Sequence, residues 1–206
     1  MLLQLLDRYT PKTEEVAYKS SIIDFIHANP DCFERSLQIG HITASAMLLN
    51  KDHTKALLMH HAKLNLWVQL GGHCDGEHDV MQVAIKEAQE ESGIMAIEPL
   101  NVEIFDVDIH LIPANKKEPE HYHYDIRFLL HVMSDETIVQ NNESKALEWF
   151  DFGIATLPTK ERSVVRLFEK LVAYISKMHP TYIHEEIKRE DISWQIKNNR
   201  LNHADN

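Results

Sequence analysis

The stretch that most constrains this chain is Gly71-Gly72-His73-Cys74-Asp75-Gly76-Glu77-His78-Asp79, followed by a helical pattern ending Lys86-Glu87-Ala88-Gln89-Glu90-Glu91-Ser92-Gly93. Val80, Val83, Ala84 and Ala88 recur at helical spacing on one face, which anchors the helix on a core. Asp79 is placed as its N-cap and Gly93 as the residue after its end. Glu87, Glu90 and Glu91 stand at i, i+3 and i+4 and share another face. Carboxylates that close repel one another unless water or a cation screens them, and magnesium, a hard cation, takes oxygen ligands. An acidic face alone more often just meets solvent. The glycine pair shifts that balance, because it exposes backbone amides and lets a phosphate approach closely.

This segment resembles the Nudix box: Gly, five residues, Glu, seven residues, Arg-Glu, an apolar residue, any residue, Glu-Glu, any residue, Gly, apolar. Aligned on Gly72 and Gly93 it fits without a gap, with Glu87, Glu90, Glu91, Gly93 and Ile94 on motif positions and Ala88 at the apolar one. Two positions depart: His78 replaces the first Glu and Lys86 replaces the Arg. Lys does not substitute for Arg where a bidentate contact is needed, so the brace between loop and helix is expected to be rebuilt here, with Glu77 as a candidate. The resemblance continues in His41 to Leu49, in Ala56 to His61 with Trp67, and in Glu148-Trp149-Phe150, and covers about residues 41 to 175. It implies an α/β/α sandwich with a mixed sheet. It also implies a magnesium-dependent hydrolase (manganese as substitute) that cleaves a diphosphate bond in a nucleoside diphosphate-linked substrate. Glu90 and Glu91 are then metal ligands, Glu87 a ligand or an orienter of the attacking water, and the Gly72 backbone a further ligand and substrate contact. The general base of such enzymes often lies outside the box, and Glu143 is the candidate, with Glu148 the alternative.

The rest of the chain suits that architecture. Residues 13 to 28 read as a helix ended by Asn29-Pro30, with a short helix allowed around Cys32 to Ser36. Strands are expected at 41–49, 56–60, 67–70, 101–112, 122–133 and 147–150, the first two as a hairpin. Residues 160 to 176 form an amphipathic helix with Thr159 as N-cap. Strands joined both by hairpins and by helices argue for a mixed sheet. The domain division expected is an N-terminal helical extension over 1–37, a Nudix hydrolase domain over 38–177 and a partly ordered polar tail over 178–206.

The chain has 206 residues, 44% hydrophobic and 26% charged, enough for a core without staples. Its formal charge of -11 disfavours nucleic acid or a membrane surface as partner. No stretch approaches the roughly 20 apolar residues that span a bilayer. Cys32 and Cys74 form no CxxC and imply neither a disulfide framework nor zinc. The expected setting is cytoplasmic, with a small nucleotide-type substrate; a homodimer is allowed.

One further segment stands out. Strand alternation puts His121, His123, Asp125 and Arg127 on one face. Such faces usually meet solvent, but Arg127 is a candidate phosphate contact, and His121, His123 and Asp125 a candidate second metal site, since imidazole suits zinc. Trp67 and Trp149 are candidates for stacking on a base, against the commoner role of packing. His53, His60, His61 and His110 carry no assigned role. Two other functions compete: a non-catalytic Nudix-fold sensor, favoured by the His78 and Lys86 departures, and an isoprenoid diphosphate isomerase, which Cys74 matches poorly.

Overall fold

The structure, a computed structural model, describes residues 1–115 and 118–178. Its elements are α1 (Leu2–Arg8), α2 (Glu15–Ala28), β1 (Gly40–Leu49), β2 (Lys55–His61), β3 (Trp67–Val68), β4 (Leu70–His73), α3 (Val80–Ser92), β5 (Ile97–Pro99), β6 (Asp106–Ile112), β7 (His121–Val132), β8 (Ser144–Asp151) and α4 (Arg162–Met178). Two compact units divide it, residues 1–165 and the stretch from Arg166 onward, whose described part is the remainder of α4. Except for Met178, the polar tail expected over 178–206 lies outside the described residues. Among the described residues no helix is long and apolar enough to cross a membrane.

One mixed sheet organises the first unit. Its path is β3-β2-β1-β7-β5, with β4 on β1, β6 on β7 and β8 on β2. β1 and β7 run parallel over the whole of β1, from Gly40↔Tyr122 to Leu49↔His131, and every other pairing is antiparallel. The expected β1–β2 hairpin closes only at Leu49↔Ala56; beyond it β1 pairs with β4, and β2 with β3 and β8.

Alternation along β1 and β7 separates two faces. Ile42, Ala44, Ala46 and Leu48 join Ile126, Phe128, Leu130 and Val132 in the main apolar cluster. Val80, Val83, Ala84 and Ala88 of α3 enter the same cluster, as the helical spacing requires. The opposite face carries His41, Thr43 and Ser45 of β1 beside His123, Asp125 and Arg127 of β7.

The N-terminal segment is not an appendage. Leu2, Leu6, Tyr9, Ile22 and Phe25 belong to the same core, and Phe25 stacks on Tyr124 with ring centroids 3.9 Å apart. Helix α1, unforeseen in the sequence, buries Leu2 and Leu6. The short helix allowed at 32–36 is instead a run of turns, closed by Cys32 and Glu34 amides donating to Asn29 and Asp31 carbonyls. The strand expected from 101 starts only at Asp106, since Asn101 folds its side chain onto the Glu103 amide at 2.9 Å. Thr159 precedes the cap of α4: its hydroxyl accepts the Glu161 amide at 3.2 Å, and the helix begins at Arg162.

Candidate active site and histidine cluster

Helix α3 begins where Asp79 accepts the Gln82 amide at 3.3 Å and ends where Gly93 turns left-handed at φ 74°. That fixes the rotation of its acidic face against β4. Glu91 is only 4% exposed and accepts the Gly71 amide at 2.8 Å. Glu87 lies against Gly72 so closely that a Cβ there would meet its Cδ at 2.6 Å. Glu90 stays at the solvent edge, 3.6 Å from Lys86 Nζ. Burial pushes Glu91 up from 4.5 to about 8, opposed by the Gly71 amide and reinforced by Glu87, Glu143 and Glu90. Glu87 is raised for the same leading reason. Oxygen donors crowded and desolvated in this way fit a hard divalent cation.

Glu143 sits on the loop before β8, exposed, and its charge is felt at both Glu87 and Glu91. The loop is held to α3 by the Asn141 side-chain amide donating to the Glu90 carbonyl at 3.3 Å and the Val139 amide donating to Ser92 at 2.8 Å. Glu148 is exposed on β8, between Leu147 and Trp149, which pack on the core.

The two departures from the box are both exposed. The His78 ring rests on Phe33 at 4.3 Å between centroids, and Lys86 reaches only Glu90. The loop is instead tied by a bidentate ion pair from Arg35 to Asp75 and by the Gly76 amide donating to the Phe33 carbonyl at 3.1 Å. Glu77 acts locally, accepting the Asp79 amide at 2.8 Å. The brace therefore comes mainly from residues 33–35, not from Glu77.

A cleft of about 540 Å³ opens over the polar face of the sheet, beside Gly71 and Gly72. Leu64, Leu66 and Val68 line one part of it, Thr43, Ser45, Asp125 and Arg127 another. Arg127, 1% exposed, is not the free cation expected of a phosphate contact. Its guanidinium donates to Asp125 at 2.7 Å, Asp108 at 3.1 Å, Asp106 at 3.2 Å and the Ser163 carbonyl at 3.3 Å. Trp67 also departs from expectation. It stacks on His60 at 5.1 Å and meets Phe150 edge-on, while its neighbour Val68 faces the cleft. Trp149 packs against the core.

The polar face of β7 is buried, contrary to the usual solvent-facing role. Asp125 is fully engaged, accepting from Thr43 at 3.0 Å, Ser45 at 2.8 Å, Gln69 at 3.2 Å and Arg127. It is not a metal ligand with His121 and His123. Their nearest nitrogen-bearing companion is His41, directly across from His123 in the β1–β7 register. His110 lies across from His123 on β6, and His73 is two positions along, across from Thr43. Desolvation lowers His41 to about 4 and His123 to about 2, with neighbouring imidazoles adding to both shifts, and lowers His73 as well. These rings are neutral at pH 7. Both cysteines are free and buried, and burial pushes Cys74 up to about 12, which removes it as a nucleophile.

The glycine pair, the carboxylate helix and the mixed sheet define an α/β/α sandwich of the Nudix type. An Ap4A hydrolase from C. elegans, solved as a binary complex, superposes with a TM-score of 0.53 at 18% identity, over 66% of this chain and 98% of that one. A hydrolase of the NUDIX family from Clostridium perfringens gives 0.50 at 25% identity, over 65% and 97%. A MutT protein from Methanosarcina mazei Go1 gives 0.50 at 18%, over 67% and 96%. No curated protein matches the chain. A family model described as the NUDIX domain matches residues 40–171, most of the chain, and the chain belongs to that family. It is a pyrophosphohydrolase-type enzyme acting on acid anhydrides.

Proposed function

We propose that the protein hydrolyses a diphosphate bond in a nucleoside diphosphate-linked substrate, using magnesium, with manganese able to replace it. One observation carries this reading: Glu87 and Glu91 are packed against Gly72 and Gly71 at the edge of a ligand-sized cleft whose described lining offers no free Lys or Arg. Among the described residues lining the cleft, Arg127 alone is a Lys or Arg, and its charge is spent on aspartates. A polyanionic substrate then depends on bound metal for neutralisation.

Glu90, Glu91, Glu87 and the Gly72 carbonyl would hold the metal. When bound, it neutralises phosphate charge and makes a water molecule more acidic. Glu143, carried on the loop anchored to Glu90 and Ser92, accepts the proton of the attacking water. Water adds to phosphorus, one P–O bond breaks, and the leaving phosphate departs. The apolar wall of Leu64, Leu66 and Val68 receives the uncharged part of the substrate and keeps water from it.

The test is turnover with magnesium on a panel of dinucleotides, sugar nucleotides and nucleoside triphosphates. Hydrolysis of at least one compound, abolished by Glu91→Gln with binding retained, is expected. Tight binding without turnover in any divalent metal would instead identify a sensor.

A further inference from the structure

The histidine cluster is not used by the chemistry above, and it is unusual on energetic grounds. Neither ring nitrogen of His41, 2% exposed, has a hydrogen-bond partner, and Nε2 of His123 has none either. The Leu37 carbonyl, which accepts the Gly40 amide at 3.2 Å, exerts only a weak pull on the His41 ring. A buried polar atom left unpaired is destabilising, and here three such atoms stand together. Nothing in the apolar core demands imidazole at these places.

Geometry supplies the reason. One ring nitrogen from each of His41, His121 and His123 lies within 4.8 Å of the others. Ligands at 2.0–2.1 Å around a tetrahedral ion stand roughly 3.4 Å apart, so closure needs only small side-chain movements. His121 is already oriented: its Nδ1 contacts the Pro119 carbonyl at 2.8 Å. The carbonyl can only accept, so Nδ1 is the donor of that contact and Nε2 is the nitrogen available to a metal. Holding the non-ligating nitrogen in this way is how proteins aim a metal-binding imidazole. β1 and β7, paired in parallel over ten positions, fix His41 and His123 opposite one another.

We infer that His41, His121 and His123 form a second metal site, for a nitrogen-preferring divalent transition ion of the zinc class, separate from the carboxylate site on α3. Three imidazole nitrogens suit zinc and disfavour magnesium, which takes oxygen. Three protein ligands leave a fourth position. His73, with its ring centroid 5.0 Å from that of His41 and 5.1 Å from that of His123, or a water occupies it. His73 and His123 also line the cleft, so the ion would border the substrate site.

The experiment uses untagged full-length protein. Metal content is measured after loading with zinc and exhaustive dialysis against metal-free buffer, and cobalt is used as a spectroscopic probe. One tightly held equivalent of zinc is expected in the parent protein and in Glu91→Gln, and none in His41→Gln/His123→Gln. Cobalt should give the intense absorption of a four-coordinate nitrogen-ligated ion. X-ray absorption on the zinc form of the parent, which needs no variant to fold, should report three imidazole nitrogens at 2.0–2.1 Å, or four where His73 fills the last position. Failure of the parent to retain zinc, an ordered water where the ion belongs, retention by the folded double variant, or loss in Glu91→Gln would each overturn the site. These results are independent of magnesium-dependent turnover, so either conclusion can fall without the other.

Discussion

Glu91 shows most directly how a single residue is shaped for work at the expense of stability. Its folded value near 8 lies above the 4.5 of an unperturbed glutamate. The folded protein therefore keeps a proton that the unfolded chain has lost. The contribution of Glu91 to the stability of the metal-free protein is full below pH 4.5 and is lost as pH rises towards 8. Glu91→Gln removes that penalty while keeping an acceptor for the Gly71 amide. Thermal melts at pH 8 without metal should show the variant more stable than the parent by about 1–3 kcal/mol, while its turnover is lost. Arg127 makes the opposite case. Arg127→Met removes the guanidinium that three buried carboxylates share and should cost roughly 3–5 kcal/mol, read as a large fall in melting temperature. A substrate-binding arginine would instead raise KM with stability unchanged. The acidic triad was legible because helical spacing alone puts Glu87, Glu90 and Glu91 on one face. The His41–His123 pairing was not, because it depends on a parallel register between strands about eighty positions apart.

Among the elements, the loop entering α3 is the clearest departure from the motif. The side chains at positions 78 and 86 point to solvent, and the work of bracing passes to Arg35 and Phe33. Because the Arg35–Asp75 pair is exposed on both sides, Arg35→Ala should lower stability by less than about 1 kcal/mol. It should nevertheless reduce magnesium-dependent turnover several-fold, since a loosened loop no longer fixes Gly72 against Glu87. Kinetics beside a melting curve separates the two effects. Residues 77 and 78 are neighbours of the expected brace in sequence, so local pattern pointed to Glu77. The true partners lie forty residues away and carry no motif. For α3 itself, Asp79, Gly93 and the apolar positions gave the boundaries correctly, since caps and periodicity are local properties.

At the scale of the whole molecule, the matched family region begins at residue 40, yet the core does not. Leu6, Ile22 and Phe25 fill it together with strands of the sheet, and Phe25 covers Tyr124. Deleting residues 1–37 should therefore give an unfolded or aggregating product by circular dichroism, where a true appendage would leave a folded enzyme. From the sequence, the end of the resemblance set residues 1–37 apart as a helical extension. The central claim is that the α3 carboxylates jointly bind a divalent ion. Isothermal calorimetry with magnesium at pH 8 tests it most directly. Uptake by the parent protein, together with its loss in Glu87→Gln/Glu91→Gln, is expected; no heat from magnesium or manganese, with or without a nucleotide, would contradict it.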